Sequence, residues 1–282
     1  MALAGVGILS EQWAYTTKTW DRITEPLKPG AADLAVICGQ LLLLAERFDR
    51  LNALVLGVTK DYLDLPWPTG SNIRALDNAS VMIRNHWSGE SGTAVQGDWC
   101  QMPLQSESQH IVLLDAGLCL LGWPDEQKQV LEEVARILVP DGMFIVRLLV
   151  LPHETESMPA VVQAVRAGEI TDLSLLRIRL WRAMQADGIF PVTNRQFWTL
   201  LASSFPDLDE LAQFCSTDSA YLQEALSKLQ AEPVRNFAFA ALEDYVHMID
   251  SMDGQFSVTE KFIPEYHLGE RCPTLVLRKN AA

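Results

Sequence analysis

The 282-residue sequence has no window of about 20 apolar residues free of charge, which is what a membrane-spanning helix requires. Its longest apolar stretch, Met143 to Leu151, is interrupted by Arg147. The opening Met-Ala-Leu-Ala-Gly-Val-Gly-Ile-Leu has no basic n-region, so the reading is against a signal peptide and for a cytoplasmic protein. Basic residues are scarce: 22 Lys and Arg stand against 36 Asp and Glu, a formal net charge of −14. Without a basic stripe to neutralise phosphates, the chain reads against DNA or RNA as a partner. Cys38, Cys100, Cys119, Cys215 and Cys272 lie far apart, with no C-x-x-C pair and no nearby His pair. Such scatter argues against a zinc site or a disulfide framework, and for reduced thiols and no bound metal. Internal repeats and low-complexity tracts are also missing.

What remains is ordinary globular composition, 49% hydrophobic and 21% charged. Residues 1–50 carry helical signals at Gln12 to Ile23 and Ala32 to Arg50, the second with Leu34, Ile37, Leu41, Leu44 and Phe48 at helical spacing. Residues 51–152 change to short β-type runs: Ala53–Gly57, Asn72–Leu76, Thr93–Gln96, His110–Leu114 and Met143–Leu151. Between the last two, Asp125 to Leu138 forms an amphipathic helix, with Val130, Leu131, Val134 and Leu138 inward and Lys128, Glu132 and Arg136 outward. Apolar strands alternating with helices predict a parallel sheet covered on both faces. Residues 153–250 are helical without strands, and residues 251–282 return to a β pattern at Gln255–Ile263 and Pro273–Arg278, an antiparallel closing pair.

In an open α/β sheet, ligands bind outside the carboxyl ends of the strands. The first strand ends at Gly57-Val58-Thr59, where glycine lets a ligand approach the backbone. The second ends at Asp77-Asn78, a carboxylate suited to a ribose hydroxyl pair. The third ends at Gly97-Asp98-Trp99, an acid beside a broad ring, and the fourth at Asp115-Ala116-Gly117.

This succession, followed by Leu138-Val139-Pro140-Asp141-Gly142 before a strand, resembles class I (Rossmann-like) S-adenosylmethionine-dependent methyltransferases. The run Asn78-Ala79-Ser80-Val81-Met82 is similar to that family's "Asp-x-Ser-x-x-Met". The resemblance implies a doubly wound, mostly parallel seven-stranded sheet with its last strand antiparallel, N-terminal helices, and a helical insertion before the last two strands. It implies S-adenosylmethionine as cofactor and S-adenosylhomocysteine as product. Gly57, Val58 and Thr59 would stand at the methionine part, Asp77 and Asn78 at ribose, and Met82, Gly97, Asp98 and Trp99 around adenine, with Asp115 and Ala116 completing the site. The family's Gly-x-Gly-x-Gly is reduced here to one glycine followed by Val58 and Thr59, and Pro66-Trp67-Pro68 replaces much of the expected helix.

The leading expectation is therefore a methyltransferase with a small-molecule acceptor, and the alternative is a non-catalytic binding or regulatory protein on the same fold. A nicotinamide-dependent oxidoreductase would need Gly-x-Gly-x-x-Gly after the first strand, which is missing. No catalytic base is singled out, and a homo-oligomer is left open. Arg147 either pairs with an acid or reaches the mouth of the site. Arg177, Arg179 and Arg182 form either a solvated face or a clamp for an anionic substrate. Trp181, Asn194, Trp198 and Tyr245 are candidates for an acceptor pocket.

Overall fold

The computed structural model describes residues 13–229 and 236–281; Gln12, the predicted start of the first helix, and the end of the helical stretch beyond 229 lie outside them. Residues 13–18 form helix α1, and α2 (Ala31–Ala45) follows. Asp33 accepts a hydrogen bond from the Gly30 N–H at 2.8 Å and so closes the first turn of α2. The helix stops short of the predicted Arg50, because residues 46–50 turn back toward the sheet.

Nine strands follow in the order β1 (Asn52–Leu56), β2 (Asn72–Asp77), β3 (Ala94–Gln96), β4 (Gln109–Asp115), β5 (Leu138–Arg147), β6 (Val192–Thr193), β7 (Asn236–Phe237), β8 (Phe256–Phe262) and β9 (Thr274–Lys279). Seven of them make one sheet in the order β3-β2-β1-β4-β5-β9-β8. Pairing is parallel from β3 through β5, and β9 runs antiparallel to both its neighbours. Strand β5 begins earlier than its apolar run suggested, since Leu138 pairs with Gln109 before a bulge restores the register at Met143.

Alternation along the strands divides the two covers. Ala53, Val55, Ile111, Leu113 and Ile145 pack with Ile37, Leu41 and Leu44 of α2 and Met82 of α3 (Ser80–His86). Leu54, Leu56, Val112, Leu114, Phe144 and Val146 pack with α4 (Asp125–Ile137) and α10 (Leu242–Asp250). Each such buried side chain contributes roughly 1.5–3 kcal/mol, which is why both faces of these strands are apolar. Buried Gln127 fits on α4 because its amide donates to the Leu121 and Ala238 carbonyls and accepts from Tyr245 Oη at 2.8 Å. Arg136, read as outward-facing, bends onto the Met102 and Leu104 carbonyls and fixes the loop before β4.

A third core is formed by the helices between β5 and β8: α5 (Met158–Arg166), α6 (Leu173–Ala186), α7 (Asn194–Ser204), α8 (Leu208–Phe214) and α9 (Ser219–Leu229). This stretch is not free of strands, since β6 and β7 pair antiparallel within it. Its buried aromatic residues include Trp181, Phe197, Trp198 and Phe205.

Candidate functional site

The strand order reverses between β1 and β4, and a cleft of about 190 Å³ opens at that point, above their carboxyl ends. Strand β1 leads into Gly57 at φ +92°, a conformation that an L side chain rarely adopts. The same glycine hands its N–H to the Leu76 carbonyl at 2.8 Å. Trp99 Nε1 donates to that carbonyl too, at 2.7 Å, so the indole lies across the strand ends as a floor. A Cβ at Gly117 would meet Trp99 Cη2 at 2.8 Å, and one at Gly57 would reach its Cζ2 at 3.7 Å. Gly117 leaves room for the ring, whereas at Gly57 the added Cβ would only touch it.

Asp77 terminates β2 and is only 8% exposed. Its Oδ1 accepts from the Ala79 N–H at 2.7 Å, while its Oδ2 faces Gly57. Burial raises its pKa to about 6 against the pull of that single backbone hydrogen bond. Asp115 terminates β4, and its Oδ1 accepts from Arg147 Nε at 2.6 Å. Both side chains of this pair are nearly buried. Burial opposes the guanidinium charge, but Asp115 outweighs it and holds Arg147 above its ordinary range. Arg147 also donates to the Pro26 carbonyl at 2.7 Å, tying the N-terminal segment to the sheet. Of the two readings for Arg147, the acid pair is the one the structure contains. Ala116, next in line, sits at φ +53°, a left-handed conformation of the kind that clusters at binding sites.

The walls come from outside the sheet. Trp13, Tyr15, Thr19, Trp20, Ile23 and Leu27 of the N-terminal segment line one side. Arg177 and Trp181 of α6, Asn194 and Trp198 of α7, and Tyr221 of α9 line the other. The two sides meet where Tyr15 stacks on Tyr221, with ring centroids 6.4 Å apart.

Of the residues predicted for the cofactor, Gly57, Val58, Thr59, Asp77, Met82, Trp99, Asp115 and Ala116 line this one cleft. Asn78, Gly97 and Asp98 do not line it. Asp98 is exposed, and its Oδ1 accepts from the Cys100 N–H at 2.9 Å within a turn. Trp181, Asn194 and Trp198 of the acceptor set line the cleft. Tyr245 of α10 instead packs edge-on against Trp123 and does not line the cleft. The N-terminal aromatic residues and Tyr221 were missed, although the helical run from Gln12 to Ile23 carried three aromatic side chains; contacts across some 200 positions leave no local signal. Among the described residues no cluster of metal-ligating side chains occurs, and no helix is long and apolar enough to cross a membrane.

Residues 54–146 match the family model described as a methyltransferase domain. No curated protein matches the sequence. Among solved structures, a Rhodobacter sphaeroides protein, provisionally described as a Zn-dependent alcohol dehydrogenase, aligns with TM-score 0.58 and 10% identity over 96% of this chain and 98% of its own. The CcbJ methyltransferase of Streptomyces caelestis aligns with TM-score 0.52 and 14% identity over 94% and 96%. Identities this low speak for the fold alone, and the sheet order is that of the class I methyltransferase fold.

Proposed function

We propose that the chain, whose residues 54–146 match a methyltransferase domain, is a class I, Rossmann-like S-adenosylmethionine-dependent methyltransferase that transfers a methyl group to a small-molecule acceptor held in the cleft. The observation that carries this reading is Asp77. A buried carboxylate with one oxygen spent on Ala79 and the other turned toward a glycine-floored opening is suited to a pair of ribose hydroxyls. The donor fits the residues present: Asp77 would take the ribose, Met82 an apolar face of the base, and Gly57 would admit the chain linking ribose to sulfur.

S-adenosylmethionine supplies a methyl group already activated on a sulfonium. The protein's part is therefore alignment and exclusion of water. Trp99 floors the reacting centre, Trp181 and Trp198 wall the acceptor side, and Asn194, 4% exposed, offers an amide to orient it. No side chain need act as a strong base if the acceptor nucleophile is neutral at working pH.

One feature favours a second reading, a binding protein without turnover. Between β1 and β2 there is only a single 3-10 turn, Lys60–Tyr62, so no long helix presents its N-terminus to the cleft there. Calorimetric titration with S-adenosylmethionine and S-adenosylhomocysteine, with NAD as control, separates the two. We expect both sulfur ligands to bind and NAD not to. Asp77→Ala is expected to lose about 10-fold or more in affinity, the scale of a hydrogen bond to a charged group. Unchanged affinity in a folded Asp77→Ala protein would remove the ribose assignment. No binding of either sulfur ligand to the wild type would leave the non-catalytic reading.

A further inference from the structure

Among the described residues, three charged side chains line the cleft: Asp77, Asp115 and Arg177. Asp115 is spent on Arg147 at 2.6 Å, and Asp77 is assigned above to the donor's ribose. Arg177 is the cation left over. Among the described residues it forms no ion pair and donates to no carbonyl. Arg179 and Arg271 both bind Glu156, and buried Arg182 is consumed by the carbonyls of Val150, Ile178 and Arg271. Arg22, on the far side of Tyr221, pairs with Asp218 at 2.6 Å. The open choice for the arginines of α6 thus resolves residue by residue: two are structural and one faces the cleft.

Arg177 is held in place without being neutralised. Its Nη2 donates to Tyr221 Oη at 3.1 Å, and its Cζ lies 5.7 Å from the centre of the Trp198 ring. Both contacts fix the guanidinium plane and leave the rest of its N–H fork free. In a chain of net charge −14 with acids in excess, a guanidinium set in an aromatic recess without a carboxylate in ion-pair contact among the described residues is suited to an anion. The walls specify its shape. Trp181 stacks on Phe237 with centroids 4.3 Å apart, and its buried Nε1–H has no hydrogen-bond partner among the described residues.

We propose that the acceptor is a flat, carboxylate-bearing small molecule, its carboxylate bound by the free fork of Arg177 and its ring seated among Trp181, Trp198 and Phe237. This rests on the methyl-transfer reading, and it deepens it by naming the substrate class. A single guanidinium matches a single carboxylate; a phosphate dianion would call for a second cation, and Arg179 and Arg182 are both committed.

The test uses the full-length protein and two matched probe pairs, benzoate with benzamide and 1-naphthoate with 1-naphthamide. Each is titrated with and without saturating S-adenosylhomocysteine. We expect each carboxylate to bind at least ~10-fold tighter than its amide, and Arg177→Gln to abolish that preference while Arg177→Lys keeps part of it. Equal binding of acid and amide by the wild type would overturn the proposal, as would a preference that survives in Arg177→Gln. The donor has a carboxylate of its own, so S-adenosylhomocysteine is compared with 5′-methylthioadenosine, which lacks it. If Arg177→Gln weakens only the former, Arg177 holds the donor and the acceptor assignment falls. A carboxylate preference that depends on Arg177 in a protein binding no S-adenosylhomocysteine would sustain the anion site while the methyl-transfer reading falls. Circular dichroism melts of both variants confirm that they fold.

Discussion

At the scale of single residues, the ribose role proposed for Asp77 would carry a cost in stability. Its folded pKa of about 6 lies above the ordinary 3.8, so its ionisation opposes folding. The stability associated with the protonated form is fully present below pH 3.8 and is lost as pH rises through about 6. Asp77→Asn should therefore leave stability near pH 4 almost unchanged and raise it by about 1–3 kcal/mol at pH 8, from the size of the shift. Urea midpoints at the two pH values check this; equal gains at both would disconnect the shift from stability. Donor affinity should move the opposite way, rising in the wild type between pH 5 and pH 7 as the carboxylate forms, with no such rise in Asp77→Asn. A gain in stability coupled to a loss of binding is the expected mark of a functional group in a strained setting. Asp77 was legible because strand-end acids have a fixed place in such sheets. Asp98 carried the same pattern and closes the same kind of turn, on Cys100 as Asp77 does on Ala79, but it is exposed and outside the cleft, a difference in burial that no local sequence signal marks.

At the scale of elements, helix α4 was readable because one-sided burial imposes a period of 3.6, and the strands because burial of both faces makes them short, near-continuous apolar runs. The β6–β7 pair was not, since two strands of two residues leave no periodicity and their partners lie more than 40 positions apart. Helix α6 matters most for the cleft, because it carries both Arg177 and Trp181. Its N-cap, Asp172, accepts from the Ser174 and Leu175 N–H groups at 2.6 and 3.3 Å. The same oxygen accepts from Thr24 Oγ1 at 2.8 Å, so the cap also holds the N-terminal segment against α6. Asp172→Ala should cost about 1–2 kcal/mol. Asp172→Asn should stay within about 0.5 kcal/mol, since Asn caps as well as Asp. Denaturation midpoints for the two variants decide it: equal losses would mean that the charge, and not the cap, is what Asp172 supplies.

At the scale of the whole molecule, three parts close around the cleft, and each junction carries polar contacts beside its apolar packing. The N-terminal segment meets the helical region through Arg22–Asp218 and Thr24–Ser174. The helical region meets the sheet through Arg182 on the Val150 carbonyl and Glu156 on Arg271. The N-terminal segment meets the sheet through Arg147, which holds the Pro26 carbonyl with one nitrogen and Asp115 with another. None of these pairings has a sequence signature beyond an arginine out of place in an apolar strand, which is how Arg147 drew notice. Because both charges of the Arg147–Asp115 pair are nearly buried, removing one strands the other. Arg147→Met should cost about 3–5 kcal/mol and loosen the N-terminal segment. The double variant Arg147→Met with Asp115→Leu should recover most of that loss, because an apolar pair of similar volume replaces two desolvated charges. A double-mutant cycle read by denaturation, with limited proteolysis between residues 13 and 30 as the second readout, separates the two contributions. We expect the double variant to regain stability while cleavage in that segment stays fast, because the Pro26 carbonyl has still lost its donor. Restored resistance to cleavage would show that the strap is held by packing and not by Arg147.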